Sequence, residues 1–147
     1  MLRASILLVA ALGVGFACGS STGPGEGQVS VTTDRSSYSI HSHDIVYAQV
    51  TNRGPDSVYM AVASYSVVVQ KQFGLIWLDL PPWYLLAGGV WFAYPLPVGE
   101  AVDAIPFSAA GVGPGRYRFV WTLYSDNAMQ HLLPLSMRAS NVFQIVE

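Results

Sequence analysis

Residues 115–123 read GRYRFVWTL. Tyr117, Phe119, Trp121 and Leu123 alternate with Arg118, Val120 and Thr122. In an extended chain successive side chains point to opposite faces, so this period of two gathers three rings and a leucine on one face of a strand. The strand is entered through Gly111-Val112-Gly113-Pro114-Gly115. Proline there fixes φ and glycine accepts positive φ, which is turn chemistry. A strand of this kind behind a turn of this kind sets the reading of everything around it.

The same pattern recurs on both sides. Val29 and Val31 alternate with Ser30 and Thr32, and Val46, Ala48 and Val50 with Tyr47, Gln49 and Thr51. Ile76, Leu78 and Leu80 alternate with Trp77 and Asp79, and Phe143 and Ile145 flank Gln144. Turn chemistry separates them at Asn52-Arg53-Gly54-Pro55-Asp56 and Pro97-Val98-Gly99-Glu100. No stretch carries a long helical period. Several short strands with turns between them, within ~100 residues, predict an all-β chain folded as an antiparallel β-sandwich. Residues 28–147 have the length of one domain.

The start of the chain reads differently. Arg3 is the only charge before Glu26, and Ile6 to Phe16 is an unbroken run of apolar residues and glycine. A basic start, a short apolar core and then small residues make a secretory signal. The run is too short for a bilayer-spanning helix, which needs ~20 residues. Cys18, the one cysteine, follows directly after Ala17 and precedes GSSTGPGEG at 19–27. Such a stretch cannot bury apolar surface and reads as a flexible tether.

The arrangement around Cys18 resembles the lipobox of bacterial lipoproteins, with Ala17 as the small residue before the cysteine and Gly15 where the family usually has leucine. The resemblance implies a signal peptide over 1–17, removal of that peptide, and lipid attachment at Cys18 at the head of the 18–27 linker. Lipid chains anchor by burying CH2 groups at ~0.8 kcal/mol each. Gly19 stands where some families carry an inner-membrane retention Asp, so the resemblance favours the outer membrane. The expected location is extracytoplasmic and membrane-anchored.

Further along, Val29-Ser-Val-Thr-Thr-Asp34, Ser37-Tyr38-Ser39, Val46 to Asn52, Trp77, Val98-Gly99-Glu100, Gly115-Arg-Tyr-Arg118 and Ser140-Asn141-Val142-Phe143 occur in order. They resemble the immunoglobulin-like domains of small secreted and lipid-anchored bacterial proteins, over nearly all of 28–147. That resemblance implies an immunoglobulin-like β-sandwich. It also implies that Tyr117, two residues before the core position Phe119, turns its hydroxyl back onto the backbone at a strand corner. It says little of function, since such domains serve as spacers, adhesion modules and binding modules.

Charge narrows the partners. The chain carries a formal net charge of −2, with 7 basic and 9 acidic residues. Lys71 is the sole lysine, and Arg116 and Arg118 are the closest basic pair. No basic patch for nucleic acid is expected. His41-Ser42-His43-Asp44 is the one stretch with metal-ligand character, because His41 and His43 share a side of an extended strand. No third and fourth ligand can be named, His131 being remote, so a polar turn is the simpler reading and no metal or cofactor is expected. There is no Gly-x-Ser-x-Gly elbow, no His-Glu-x-x-His, no phosphate-binding glycine loop and no Cys-x-x-Cys. The chain is read as non-enzymatic.

The stretch Trp83 to Tyr94, WYLLAGGVWFAY, has no charged neighbour from Leu80 to Gly99. Gly88-Gly89 at its centre suits a two-residue hairpin turn, pairing Trp83 with Tyr94, Leu85 with Phe92 and Ala87 with Val90. Both faces of that hairpin are apolar. Its Tyr84, Leu86 and Trp91 face is the candidate binding face, for an unknown envelope protein, a glycan or self-association. Burial of the whole segment is the plainer alternative. The reading is therefore a lipid-anchored display and binding module. A carbohydrate-binding module stacking sugars on Trp77 and Trp83, with Trp91 and Trp121 as further rings, is the first rival. A sandwich-type proteinase inhibitor is the second.

Overall fold

The computed structural model describes residues 28–62, 66–81, 92–103 and 106–147. In chain order the strands are β1 (Val29–Thr33), β2 (Ser37–Ser39), β3 (Ile45–Val46), β4 (Ala48–Asn52), β5 (Val58–Val62), β6 (Val67–Phe73) and β7 (Ile76–Asp79). They continue with β8 (Phe92–Leu96), β9 (Ala101–Asp103), β10 (Phe107–Ser108), β11 (Gly115–Trp121), β12 (Leu123–Tyr124) and β13 (Phe143–Val146). The helical content of the described residues is one 3-10 turn, Ala109–Gly111, and one short helix, α1 (Leu135–Arg138). None of these helices is long and apolar enough to cross a membrane.

The chain is all-β and builds an antiparallel sandwich. One layer has the order β1-β4-β9, and the short pair β3–β10 carries the β4–β9 pairing further along the chain. The other layer has the order β2-β13-β11-β6-β7, with β2 running parallel to β13. A further sheet, β12-β5-β8, grows from the same two chains that carry β11 and β6. The buried cluster joins the layers: Val29, Val31, Val46, Ala48 and Val50 from one meet Val69, Tyr117, Phe119, Phe143 and Ile145 from the other.

The alternation read in residues 115–123 is what holds this together. Tyr117, Phe119, Trp121 and Leu123 are all buried. The rings pack in order, with Tyr117 stacked on Phe143 at 6.0 Å, Phe143 on Phe119 at 5.5 Å, and Phe107 edge-on to Phe119 at 6.1 Å. Such pairs add ~0.5–1.5 kcal/mol each beyond their area. The Tyr117 hydroxyl donates to the Gly113 carbonyl, back across the turn that precedes β11. Val29, Val31, Val46, Ala48, Val50, Phe143 and Ile145 are likewise buried, on the faces their spacing assigns.

Asn52 shows how a buried polar side chain is satisfied. Asn52 is fully buried at the first turn. Its Nδ2 donates to the carbonyls of Asp56 and Leu96, and its Oδ1 accepts from the Gly54 N–H at 3.0 Å. An unpaired amide there costs ~1–3 kcal/mol. Asparagine thus ties the 52–56 turn to β8 as well as closing it.

Several strands differ from the sequence reading. The strands β5 and β6 were not anticipated, although β6 supplies Val67 and Val69 to the core. In β7, Ile76 and Leu78 do share a face, but that face is uncovered: they are 58% and 48% exposed. The reason is position. β7 is the outermost strand of its sheet among the described residues, so alternation gave it a face without an opposing layer.

Candidate functional site

The core-side face of the β6–β7 ribbon changes character along its length. Val67 and Val69 of β6 are buried. The next two residues on that face are Lys71 and Phe73, which sit beside Leu78 and Ile76 of β7 in the register, while Lys71 also lies beside Tyr117 of β11. Among the described residues, the opposing layer does not reach this end. A cleft of about 690 Å³ opens, lined by Lys71, Phe73, Leu80, Pro81 and Tyr117 together with Pro106, Phe107, Ser108 and residues 111–113.

Lys71 is held within this cleft by its surroundings. Its Nζ lies 5.3 Å from the Tyr117 ring centroid and 5.6 Å from that of Phe73. Both distances fall in the range where a ring face attracts a cation. Its hydrogen-bond acceptor is the Gly113 carbonyl, at a long 3.4 Å. Gly115 lies under the lysine stem, and a Cβ there would come within 2.9 Å of Lys71 Cε. The absence of a side chain at 115 is what lets the stem cross.

The opposite face of the same sheet carries Trp77. Arg118 stacks its guanidinium 4.3 Å over the Trp77 ring, and its Nε donates to Gln70 Oε1 at 2.7 Å. Gln70 in turn donates to Asp79 Oδ1 at 2.8 Å. Burial, and then the Arg138 charge, pull the Arg118 guanidinium below its ordinary value. One face of the Trp77 ring is therefore already taken by a cation. Trp121 lies in the core, with its Nε1 lacking a hydrogen-bond partner in the described structure. Of the two rings, Trp121 is closed off and Trp77 has one face occupied. Trp83, Tyr84, Leu86 and Trp91, and the hairpin turn at Gly88-Gly89, lie outside the described residues, as does Cys18 with residues 1–27. Of the proposed hairpin, Phe92 and Tyr94 are described: they are half-exposed and pair with Val62 and Met60 of β5.

The His41–Asp44 stretch is a turn rather than an extended strand, with His43 at φ 53°. Asp44 Oδ2 accepts from the Ser39 N–H at 2.8 Å and pairs with Arg35 at 3.3 Å. No group of three or more potential metal ligands occurs among the described residues. Asp44 belongs to a polar knot at the β1–β2 crossover. There the Tyr38 hydroxyl donates to Asp34 Oδ1 at 2.6 Å and accepts from the Arg35 N–H. Burial and the Asp34 carboxylate push the Tyr38 phenol up to about 12. Burial pulls Asp34 upward, but hydrogen bonds from Tyr38 and the Tyr47 N–H outweigh it and hold the carboxyl below its usual range. The knot fixes the switch of the first strand from one layer to the other.

Sequence reasoning brought forward Trp77 and passed over Lys71. The signal was present in residues 67–73, VVVQKQF. Val67, Val69, Lys71 and Phe73 share a period of two, so a charge stands at a core-face position.

No protein-family model matches the chain, and no curated protein matches it. Among solved structures, a β-glucosidase from Erythrobacter marinus aligns at 18% identity with a TM-score of 0.33. The alignment covers 80% of this chain but 15% of the enzyme's. A likeness at that level carries no argument about chemistry.

Proposed function

We propose that the chain is a lipid-anchored, extracytoplasmic immunoglobulin-like module that works by binding and display and not by catalysis. The observation that carries the fold assignment is the Tyr117 hydroxyl closing onto Gly113 at the head of β11. It stands within a sheet ordered β2-β13-β11-β6-β7, whose first strand lies parallel to β13. A tyrosine corner beside the strand pairing of an immunoglobulin-like sheet supports that kinship. The step from fold to role is analogy, since this architecture hosts many functions. What favours binding is the uncovered apolar face at the β6–β7 end, because such patches mark interaction sites.

The anchor rests on Cys18 alone. Intact-mass measurement of membrane-extracted protein is expected to find residues 1–17 removed and diacylglycerol on an N-terminal cysteine. A Cys18→Ser variant is expected to stay unmodified and leave the membrane fraction. Wild-type protein carrying a free Cys18 thiol would overturn the anchor. Sugar stacking on Trp77 is the weaker reading, because Arg118 already covers one face of that ring.

A further inference from the structure

We infer that the cleft beside Lys71 is a binding site for a single-tailed amphiphile with a carboxylate head. This rests on reading the domain as a binding module, and it is independent of the anchor at Cys18. Three observations converge. The first is shape and lining: about 690 Å³, walled by Phe73, Leu80, Phe107 and Val112 among others. Small-molecule sites run to roughly 300–1,000 Å³ and are mostly apolar with a few placed polar groups.

The second is charge. Lys71 stands on the core-side face, in line with the buried Val67 and Val69. Lys71 is partly buried there, and an ammonium set against apolar surface gains more from an anionic partner than one in open water does. None of the ion pairs among the described residues includes Lys71. The neighbouring carboxylate on β7, Asp79, is engaged with Gln70 on the opposite face of the sheet. The ammonium is left with two ring faces and one long hydrogen bond to Gly113. Those contacts position a cation without neutralising it.

The third is the accommodation of the stem by Gly115, where a Cβ would come within 2.9 Å of Lys71 Cε; the stem thus reaches the Tyr117 and Phe73 rings that line the cleft. An anionic head would pair with Nζ, while its tail would cover Phe73, Leu80 and Phe107. An apolar ligand without a head would leave the cation unpaired, and a cationic amphiphile would be repelled. The selectivity for an anionic head thus follows from a single residue.

Because Lys71 is the only lysine, it reports on itself. Reductive 13C-methylation, which keeps the charge, gives one lysine resonance in the full chain carrying Cys18→Ser and held free of detergent. Titration with dodecanoate below its micelle concentration is expected to shift that resonance saturably. Dodecyltrimethylammonium is expected to leave it in place. In calorimetry, Lys71→Met is expected to weaken dodecanoate binding by about tenfold or more, the worth of a charge-assisted contact. Lys71→Arg is expected to restore most of it. An unmoved resonance, or equal binding of the anionic and cationic amphiphiles, would overturn the site. The first outcome would mean that the cleft is filled by the chain itself, and the second that Lys71 selects no head group. If Lys71→Met fails to fold, the titration of the labelled lysine decides alone. Cys18 lipidation is measured separately, so loss of one reading leaves the other standing.

Discussion

The two ends of one sheet face teach more than either alone. At one end Val69, Phe119 and Phe143 lie against Val29, Val46 and Val50 of the opposing layer, and all are fully or almost fully buried. At the other end Phe73, Ile76 and Leu78 are half-exposed or more on the same face, and Lys71 stands among them. The side chains alternate in the same way at both ends. What differs is whether, among the described residues, a second layer stands opposite. Alternation is a property of the strand, whereas coverage is a property of the topology.

The covered end should respond most strongly to change. Phe119→Ala removes a ring that touches both Phe107 and Phe143. A cavity of that size in a two-sided core costs ~3–5 kcal/mol, read as a lowered urea midpoint at unchanged slope. Trp121→Ala belongs in the same range, since the residue is buried. A cost under ~1 kcal/mol for Phe119→Ala would mean that the layers are not packed as described.

The strand corner comes next. Tyr117→Phe keeps the ring stacked on Phe143 and deletes the hydroxyl bonded to Gly113. The expected loss is ~0.5–1.5 kcal/mol, the net worth of one hydrogen bond. Since Tyr117 also borders the cleft, the substitution separates the two ends. Stability should fall, while the cation-holding ring face beside Lys71 remains. No loss of stability would detach the hydroxyl from the fold argument.

These contrasts explain what the sequence could and could not disclose. Tyr117, Phe119, Trp121, Val29, Val31, Val46, Ala48, Val50, Phe143 and Ile145 were placed correctly, because period-two burial is written locally. The turn at 111–115 was legible for the same reason, its glycines and proline acting through their own φ. The strand β6 was missed because Val67, Val68 and Val69 make a continuous apolar run, and Gln70-Lys71-Gln72 then looks like solvated surface. Its partner β11 is fifty residues away, and that pairing is what turns the run into a central strand. Lys71 could not be recognised as a cleft cation until Tyr117 and Phe107 were brought to it by those long-range pairings. The metal-like look of His41 and His43 had the opposite fault. It assumed an extended strand where the chain turns, with His43 at positive φ.

A smaller effect should come from the crossover knot, as a pH dependence. Asp34 is held below its ordinary value of 3.8. A depressed carboxyl stabilises the fold above its unfolded pKa, and the contribution fades as pH falls through the folded value. Tyr38 works at the other extreme, being raised from 10.0 to about 12. Its contribution is complete below pH 10 and is lost as pH rises through about 12. Melting temperatures of wild type and Asp34→Asn are therefore expected to differ at neutral pH, and the gap to begin closing only as pH falls below 3.8, towards the lower folded value. A gap that persists into acid would assign the effect to packing instead of charge.

The smallest effect is expected at the open end, and it is the sharpest test of the contrast. Ile76 and Leu78 are 58% and 48% exposed, on the outermost described strand of their sheet. Replacing an exposed apolar side chain by serine gives up little buried area, so Ile76→Ser and Leu78→Ser should each fall within about ±0.5 kcal/mol in urea unfolding. Both lie on the cleft side, beside Phe73 and Lys71 in the register. Neither lines the cleft itself, so the same substitutions should leave dodecanoate binding close to wild type. A loss of several kcal/mol from either would show that something packs against this face in the folded chain. The two ends would then be equivalent, and Lys71 would be a cation enclosed by its own protein with no site to offer.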